Sequence, residues 1–513
     1  MNFPSGQGEL FNTRGVLAAH MSEERAADDT YRRTLRFLVS VAAQLKFPKS
    51  RLVGGHTVGN GFYYELEGQQ LTAPQVTELS SVLTELVNSG ETITPITKPW
   101  KEAVAYFEQH GLTAAKDLLT TRVVPQVSLY ECRGCWRLNL APLHERAAGL
   151  KAGQYKLVAS GSGFVAAYSE NYVPQPALLG SHHDHMTFGA GYQVKSVGQL
   201  NGLQQVGRPR KDFVLACEFR QETKLAEIAS KVKARWDTGK PVKVICIAGP
   251  TSSGKTTFAN KLCMYLQNYG YVAKPLTVDH YYLPLDRQPK YQARKQRIDV
   301  DYDHIESMDV DLVGEHLNAL AVGKSVMTPV YNMKTGYRDG DGHKFDALPD
   351  NGILVIEGIH ALNPLYTQAV AREKVFKIFI SPLTGLQLDD HNAVKTTHHR
   401  LLRRMSRDYL FRGNSAATTL KMWDNVRKGE GTWIFPHQND ADFVMNSAAE
   451  YEVPVLKTFI EPLLRAVTPE DAQYGKASEV LKLLDHFNNW PPEMTPGAAL
   501  LREFIGDGSF DCH

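Results

Sequence analysis

The chain has 513 residues, with 57 Lys+Arg against 55 Asp+Glu and a formal net charge of +2. Its hydrophobic fraction of 43% and aromatic fraction of 10% are those of a globular chain that buries a large core, which excludes disordered and fibrous classes. No apolar run reaches the roughly 18 residues of a membrane helix, and the near-neutral balance argues against a protein built to coat nucleic acid or anionic membrane. Length alone suggests roughly three domains. Six cysteines are too sparse for a disulfide framework. The first residues, MNFPSGQGELFNTRG, lack the apolar stretch of a secretory signal, so a cytoplasmic protein is expected.

Residues 1–30 are polar and read as a flexible leader. From Tyr31 to about Lys240, helical and strand patterns alternate. Leu35, Phe37, Leu38, Val41, Ala42 and Leu45 recur at helical spacing, Phe62–Leu66 reads as a strand, and residues 75–90 read as a helix. His182-His183-Asp184-His185 lies in a glycine-rich stretch and is expected to be a loop. The segment ETKLAEIASKVKARW, residues 222–236, is amphipathic, with Leu225, Ile228, Ala229 and Val232 on one face. Asp237-Thr238-Gly239-Lys240-Pro241 breaks that helix and places a domain boundary at about 240.

Beyond the break, Val242–Ala248 is a short and almost wholly apolar run, as expected for a strand buried on both faces of a parallel sheet. A helix over 256–268 follows. Tyr271–Val278, Ile353–Ile356 and Val375–Ile380 read as further strands, so the expected fold is α/β, with helices flanking a parallel sheet. Asn489-Trp490-Pro491-Pro492 marks a turn before a short tail.

The first of these strands leads into Gly249-Pro250-Thr251-Ser252-Ser253-Gly254-Lys255-Thr256, which fits GxxxxGK[ST], with Thr257 next. The glycines let the backbone curl so that its N–H groups face phosphate oxygens, and the following helix points its positive end at them. Lys255 is expected on the β- and γ-phosphates of ATP, and Thr256 on Mg²⁺. Asp279 ends the next strand, where it can accept a hydroxyl proton and help hold the metal; Tyr282 follows it. Glu357 ends the third strand and is expected to hold Mg²⁺ directly or through water. Arg400, Arg403, Arg404 and Arg407 share one helical face. Four like charges repel unless neutralised; Asp389, Asp390 and Asp408 are available, or the arginines form a lid over the migrating phosphate.

At this point residues 242 to about 470 resemble the uridine kinase / phosphoribulokinase family. The resemblance rests on AGPTSSGKTTFANKL, VIEGIHALNP, RLLRRMSRDYLFRG, IFPHQNDADFVMNSA and LREFIGDGSF. GNGFYYEL and LYECRG make residues 31–240 similar to the second additional domain of threonyl-tRNA synthetases, an α+β editing domain. The implied organisation is a leader (1–30), a synthetase-like region (31–240), a P-loop kinase domain (241–488) and a tail (489–513).

The resemblance implies that Asp279 is the base for a nucleoside 5′-hydroxyl. It implies that Asp303, in Asp301-Tyr302-Asp303-His304, holds ribose hydroxyls, and that Tyr331 and Arg338 line and close the base pocket. Tyr282 and Arg400 count with the substrate-binding residues, and Lys255, Arg403, Arg404 and Arg407 with the catalytic ones. Gly336 stands where uridine kinases carry a base-reading histidine, which leaves the base open. The editing pairs are incomplete: residues 31–42 hold no histidine, and Trp136 stands where a histidine would follow Cys132. Cys132 and Cys135, with His144 or the histidines at 182–185, are the candidate zinc ligands, although one CxxC with irregular histidine spacing is a weak pattern.

The reading is an ATP- and Mg²⁺-dependent 5′-kinase of a small nucleoside such as uridine, cytidine or thymidine, expected as a homo-oligomer, with neither membrane nor nucleic acid as a partner. The alternatives are a kinase of another small hydroxyl, like phosphoribulokinase or pantothenate kinase, and an RNA-binding regulator switched by ATP. The last would need a basic N-terminal surface. Lys98, Lys101, Lys116 and Arg122 are instead interleaved with Glu78, Glu85, Glu91, Glu102, Glu108 and Asp117.

Overall fold

Strands Val244–Ala248, Gly352–Glu357 and Val375–Ser381 are buried at every position. Only the middle of a sheet covered on both faces offers such a place. Strand Val272–Thr277, which carries Pro275, is half-exposed, as suits an edge strand. In the computed structural model, which describes residues 23–512 apart from 123, 152, 204–207, 297–302 and 368–369, these strands form one parallel sheet. Its order is Phe443–Asn446, Val375–Ser381, Val244–Ala248, Gly352–Glu357, Val272–Thr277. The strand at Phe443–Asn446 was not anticipated: four residues are too few for a periodic signal.

Helices cover both faces. One face packs Phe258, Leu262 and Leu266 of helix Lys255–Gln267 together with Leu225, Ile228 and Val232 of helix Pro209–Asp237. The other packs Leu317 of helix Val310–Ala321 with Leu362 and Tyr366. Helix Pro209–Asp237 is longer than the expected 222–236, and its apolar face completes the kinase core, although the boundary at 240 assigns it to the preceding region. The same core continues into Phe107, Leu118 and Leu129.

The N-terminal region is α+β. A four-stranded antiparallel sheet runs Leu52–Thr57, Gly61–Leu66, Gly163–Ala167, Lys156–Ser160. A second sheet pairs Thr94–Pro99, Gln126–Cys132 and Cys135–Leu138. Helix Glu23–Lys46 contributes Leu35, Leu38 and Val41 to a core shared with Leu79 and Leu83 of helix Ala73–Ser89, whose start Thr72 and Gln75 cap reciprocally. Leu45, expected on the buried face, is exposed at the end of its helix.

Three expectations need correction. Residues 1–22 of the expected leader lie outside the described residues, but helix begins at Glu23, so the leader does not extend to 30. His182-His183-Asp184-His185 is not a loop; it lies inside helix Pro176–Tyr192. Proline in the first turn starts that helix, and a 2.8 Å pair between His185 Nδ1 and buried Glu450 holds it against the kinase region, outweighing its glycines. The segment after Asn489 returns to the core, with Trp490, Leu500, Leu501 and Phe504 buried.

Candidate active site

The phosphate loop occupies the turn between strand Val244–Ala248 and helix Lys255–Gln267. Two of its glycines are required sterically. A Cβ on Gly249 would lie 2.0 Å from the Ile380 carbonyl oxygen. Gly254 has φ of 88°, and its Cβ would lie 2.1 Å from Leu500 Cδ2. Lys255 Nζ donates to the loop carbonyls of Gly249 at 3.1 Å and Pro250 at 3.3 Å. Burial lowers its pKa, against the opposing pull of Glu357 and Asp279.

Thr256 Oγ1 donates to Glu357 Oε1 at 3.2 Å, so helix start and strand end meet as expected. Burial, reinforced by nearby Asp279, pushes the Glu357 carboxyl up to about 7. Asp279 is half-buried in the turn Val278–Tyr281, directly after strand Val272–Thr277. A hydroxyl and two carboxylates at adjacent strand ends are hard oxygen donors of the kind that suits Mg²⁺, which takes one or two carboxylates and leaves the rest to phosphate and water.

The four arginines of helix Thr396–Arg412 do not share one environment. Arg400 and Arg403 are completely buried and pair with Glu430 and Glu452. Arg403 binds Glu452 through two bonds of 2.7 Å. Their other donors reach the backs of loop residues: Arg400 Nε to the Thr251 carbonyl at 2.9 Å, and Arg403 Nη1 to the Ser252 carbonyl at 3.3 Å. Arg400, expected to bind substrate, and Arg403, expected to be catalytic, thus have these donors on carboxylates and loop carbonyls. Arg404 pairs with Asp408 and reaches Thr251 Oγ1 at 3.3 Å. Arg407 lies over the Phe504 ring, with its pKa lowered to about 10 by burial and neighbouring cations. Asp389 and Asp390 do not neutralise this face: Asp389 binds His391 and Asn392, and Asp390 binds Arg51.

Beside Asp279, the rings of Tyr282 and Tyr331 lie 5.3 Å apart. Tyr331 N–H donates to His280 Nδ1 at 3.3 Å, and Gln288 Nε2 donates to its hydroxyl at 3.0 Å. Arg338 pairs with Asp309 at 2.9 Å and donates to the Tyr282 carbonyl at 3.2 Å, tying its hairpin to the catalytic turn. Gly336 has φ of 79°, and a Cβ there would meet Leu285 at 3.1 Å. Asp303 is buried and acts electrostatically on Tyr282; Asp301 and Tyr302 lie outside the described residues.

Several neighbours were not singled out from the sequence. Buried Arg294 donates to Ser307 Oγ and Gln288 Oε1 behind the tyrosine pair. Buried His360, whose pKa falls to about 3 through burial, sits beside Asp303. Glu503 Oε2 accepts from the N–H and hydroxyl of Thr257 at 3.2 and 2.9 Å. His360 and Glu503 lie in stretches that carry the family resemblance, which was their only signal. Cys132 and Cys135 face each other across a strand pair, with burial pushing the Cys132 thiol up to about 12. Among the described residues no cluster of three or more His, Cys, Asp or Glu is arranged for a metal ion, so the proposed zinc ligands are not brought together. Among the same residues, no helix is long and apolar enough to cross a membrane.

Residues 244–454 match the sequence model of the Phosphoribulokinase / Uridine kinase family. The uridine kinase of Mycoplasma pneumoniae is 28% identical over 225 residues, covering 43% of this chain and 94% of that protein. The uridine kinase of Staphylococcus aureus is 28% identical over 218 residues, covering 42% and 93%. Among solved structures, D-glycerate 3-kinase from Cryptococcus neoformans has a TM-score of 0.31 and 12% identity, covering 41% of this chain and 88% of that one. A family match that opens at the first residue of the sheet's first strand and runs past its last makes the protein a kinase, a phosphotransferase that acts on a hydroxyl group.

Proposed function

We propose that the protein transfers the γ-phosphoryl group of ATP to the 5′-hydroxyl of a pyrimidine nucleoside. The observation that carries this reading is the position of Asp279. It lies in the electrostatic reach of Lys255 and Glu357 on one side and next to the Tyr282–Tyr331 pair on the other. In this reading Asp279 takes the hydroxyl proton as the phosphoryl group arrives. The loop N–H groups and Lys255 hold the phosphates, and Arg404 and Arg407 face the transferring charge. Thr256 and Glu357, with Asp279, would hold Mg²⁺, which when bound neutralises charge between the β- and γ-phosphates.

The Tyr282–Tyr331 pair suits a planar base stacked against it, and Asp303 suits ribose hydroxyls. A phosphorylated sugar would call for free cations, whereas Arg338 and Arg294 are engaged with Asp309, Ser307 and Gln288. Tight, left-handed Gly336 offers no base-reading side chain, so base choice falls to the tyrosine pair and its hydrogen-bonded partners. We read residues 31–240 as a synthetase-like region without editing chemistry, because residues 31–42 hold no histidine and Trp136 is stacked on Tyr106.

The test is a panel of ribo- and deoxyribonucleosides with ATP and Mg²⁺, read by ADP release and product mass. Phosphorylation of a pyrimidine nucleoside is expected. Asp279→Asn should lower turnover by about 10²–10⁴-fold while ATP binding is retained. Undiminished turnover in that variant, or a panel with no nucleoside product, refutes the assignment.

A further inference from the structure

Gln288 stands behind the tyrosine pair with both ends of its amide committed. Arg294 donates to its Oε1, and its Nε2 donates to the Leu283 carbonyl and, at 3.0 Å, to the Tyr331 hydroxyl. These partners fix which end of the amide is which. A guanidinium only donates, so the atom facing Arg294 is the amide oxygen; a backbone carbonyl only accepts, so the atom facing Leu283 is the NH₂. Arg294 is anchored in turn, donating to Ser307 Oγ and, at 3.1 Å, to the Pro289 carbonyl. Gln288 and Arg294 are both buried, so bulk water does not compete for these groups.

The consequence falls on Tyr331. A phenol carries one proton, and its oxygen is already accepting from Gln288, so that proton cannot point at Gln288. Among the described residues the hydroxyl makes no other hydrogen bond, which leaves its proton for a ligand. Burial pushes the phenol pKa up, so the proton is retained at neutral pH. Arg294 also acts electrostatically on this hydroxyl, and its positive field favours an electronegative atom opposite over an amino group. Gly336, at the turn of the same hairpin, adds no side chain that could reverse this choice.

We propose that Arg294 and Gln288 are positioning residues that make Tyr331 a hydrogen-bond donor to the base, and that this donor selects a 4-oxopyrimidine nucleoside, such as uridine or thymidine, over cytidine. A carbonyl oxygen at position 4 accepts the Tyr331 proton. The amino group of cytosine would set a second donor against it and leave both without an acceptor in a half-buried site. The inference rests on the nucleoside reading above, with Tyr331 lining the base.

The test is kcat/KM for uridine, thymidine and cytidine with ATP and Mg²⁺, on full-length wild type, Gln288→Glu and Tyr331→Phe. Wild type should prefer uridine or thymidine to cytidine at least tenfold. In Gln288→Glu the carboxylate accepts the Tyr331 proton, the hydroxyl turns a lone pair to the base, and the preference should fall at least tenfold. That variant also sets an acceptor against the Leu283 carbonyl, so its folding is checked by melting. Tyr331→Phe leaves Gln288 with its other two partners and should bring the ratio to within threefold of one. Residues with a merely structural role would lower all three nucleosides together and leave the ratio unmoved. A ratio unmoved in Tyr331→Phe overturns the donor, and one unmoved in folded Gln288→Glu overturns its positioning. Wild type that takes cytidine as readily as uridine, as contact with the shared 2-carbonyl would give, overturns the selection; all three results leave the nucleoside reading standing. Phosphorylation of none of the three nucleosides overturns that reading and the inference with it.

Discussion

Arg403 and Arg407 lie four residues apart on one helix, yet their neighbours give them opposite work. Arg403 is bound along one edge, Nε and Nη2, by both oxygens of Glu452, which also accepts from buried His399 at 2.6 Å. Arg403→Met would strand that carboxylate, and about 3–5 kcal/mol of stability should be lost in chemical denaturation. Arg407 carries no such pair among the described residues. Arg407→Met should leave stability within about 1 kcal/mol and lower kcat by about 10²-fold, a split readable from kinetics and denaturation together. Glu218 offers a pH test. Burial pushes its carboxyl up to about 6, although Tyr451 donates to it at 2.7 Å. A raised carboxyl contributes stability that is complete below its unfolded pKa and lost as pH rises through 6. Glu218→Gln keeps the acceptor without the charge. It should therefore stabilise the protein by ~1–2 kcal/mol at pH 7.5 and by almost nothing at pH 4.5, measured by melting across that range.

Among the elements, the segment after Asn489 most changes the picture of the site. Leu500 packs where a Cβ of Gly254 would stand, and Glu503 caps the Thr257 N–H. The phosphate loop is thus held from one side by the arginine helix and from the other by the end of the chain. Leu500→Ala should cost about 2–4 kcal/mol through the cavity it leaves, and should raise the ATP KM because Gly254 loses its backing. Denaturation and steady-state kinetics on the same preparation check both halves. The arginine helix likewise acts as a brace, with donors on the loop and carboxylates from Ala416–Trp433 and Glu452–Arg465 behind it.

At the scale of the molecule, the two regions share one apolar core and one buried ionic knot. Glu450 accepts from Arg220 at 2.8 and 2.9 Å and pairs with His185 at 2.8 Å, so helix Pro176–Tyr192 and helix Pro209–Asp237 converge on one carboxylate. Three residues earlier, Ser447 Oγ donates to the Ser253 carbonyl of the phosphate loop at 2.6 Å. Arg220→Met should cost about 3 kcal/mol and weaken ATP binding, since the loop and the knot share one short segment. Urea melts and nucleotide titration test this; lost stability with unchanged ATP affinity would separate the knot from the loop.

By itself the sequence determined what depends on neighbours along the chain. Apolar runs marked the four longer strands of the sheet, glycine spacing marked the phosphate loop, and carboxylates at strand ends marked Asp279 and Glu357. Backbone preference and side-chain periodicity act over a few residues, so these features survive without knowledge of the rest. Asp408, four residues from Arg404, was within that reach, but the counter-charges of buried Arg400 and Arg403 were not. Asp389 and Asp390 are nearer in sequence, but Glu430 and Glu452 lie on helices that packing brings alongside. The helical histidines at 182–185 and the return of the C-terminal segment onto Gly254 were decided the same way. A buried charge answers to whichever group the tertiary fold places within a few ångströms, and separation along the chain does not set that distance.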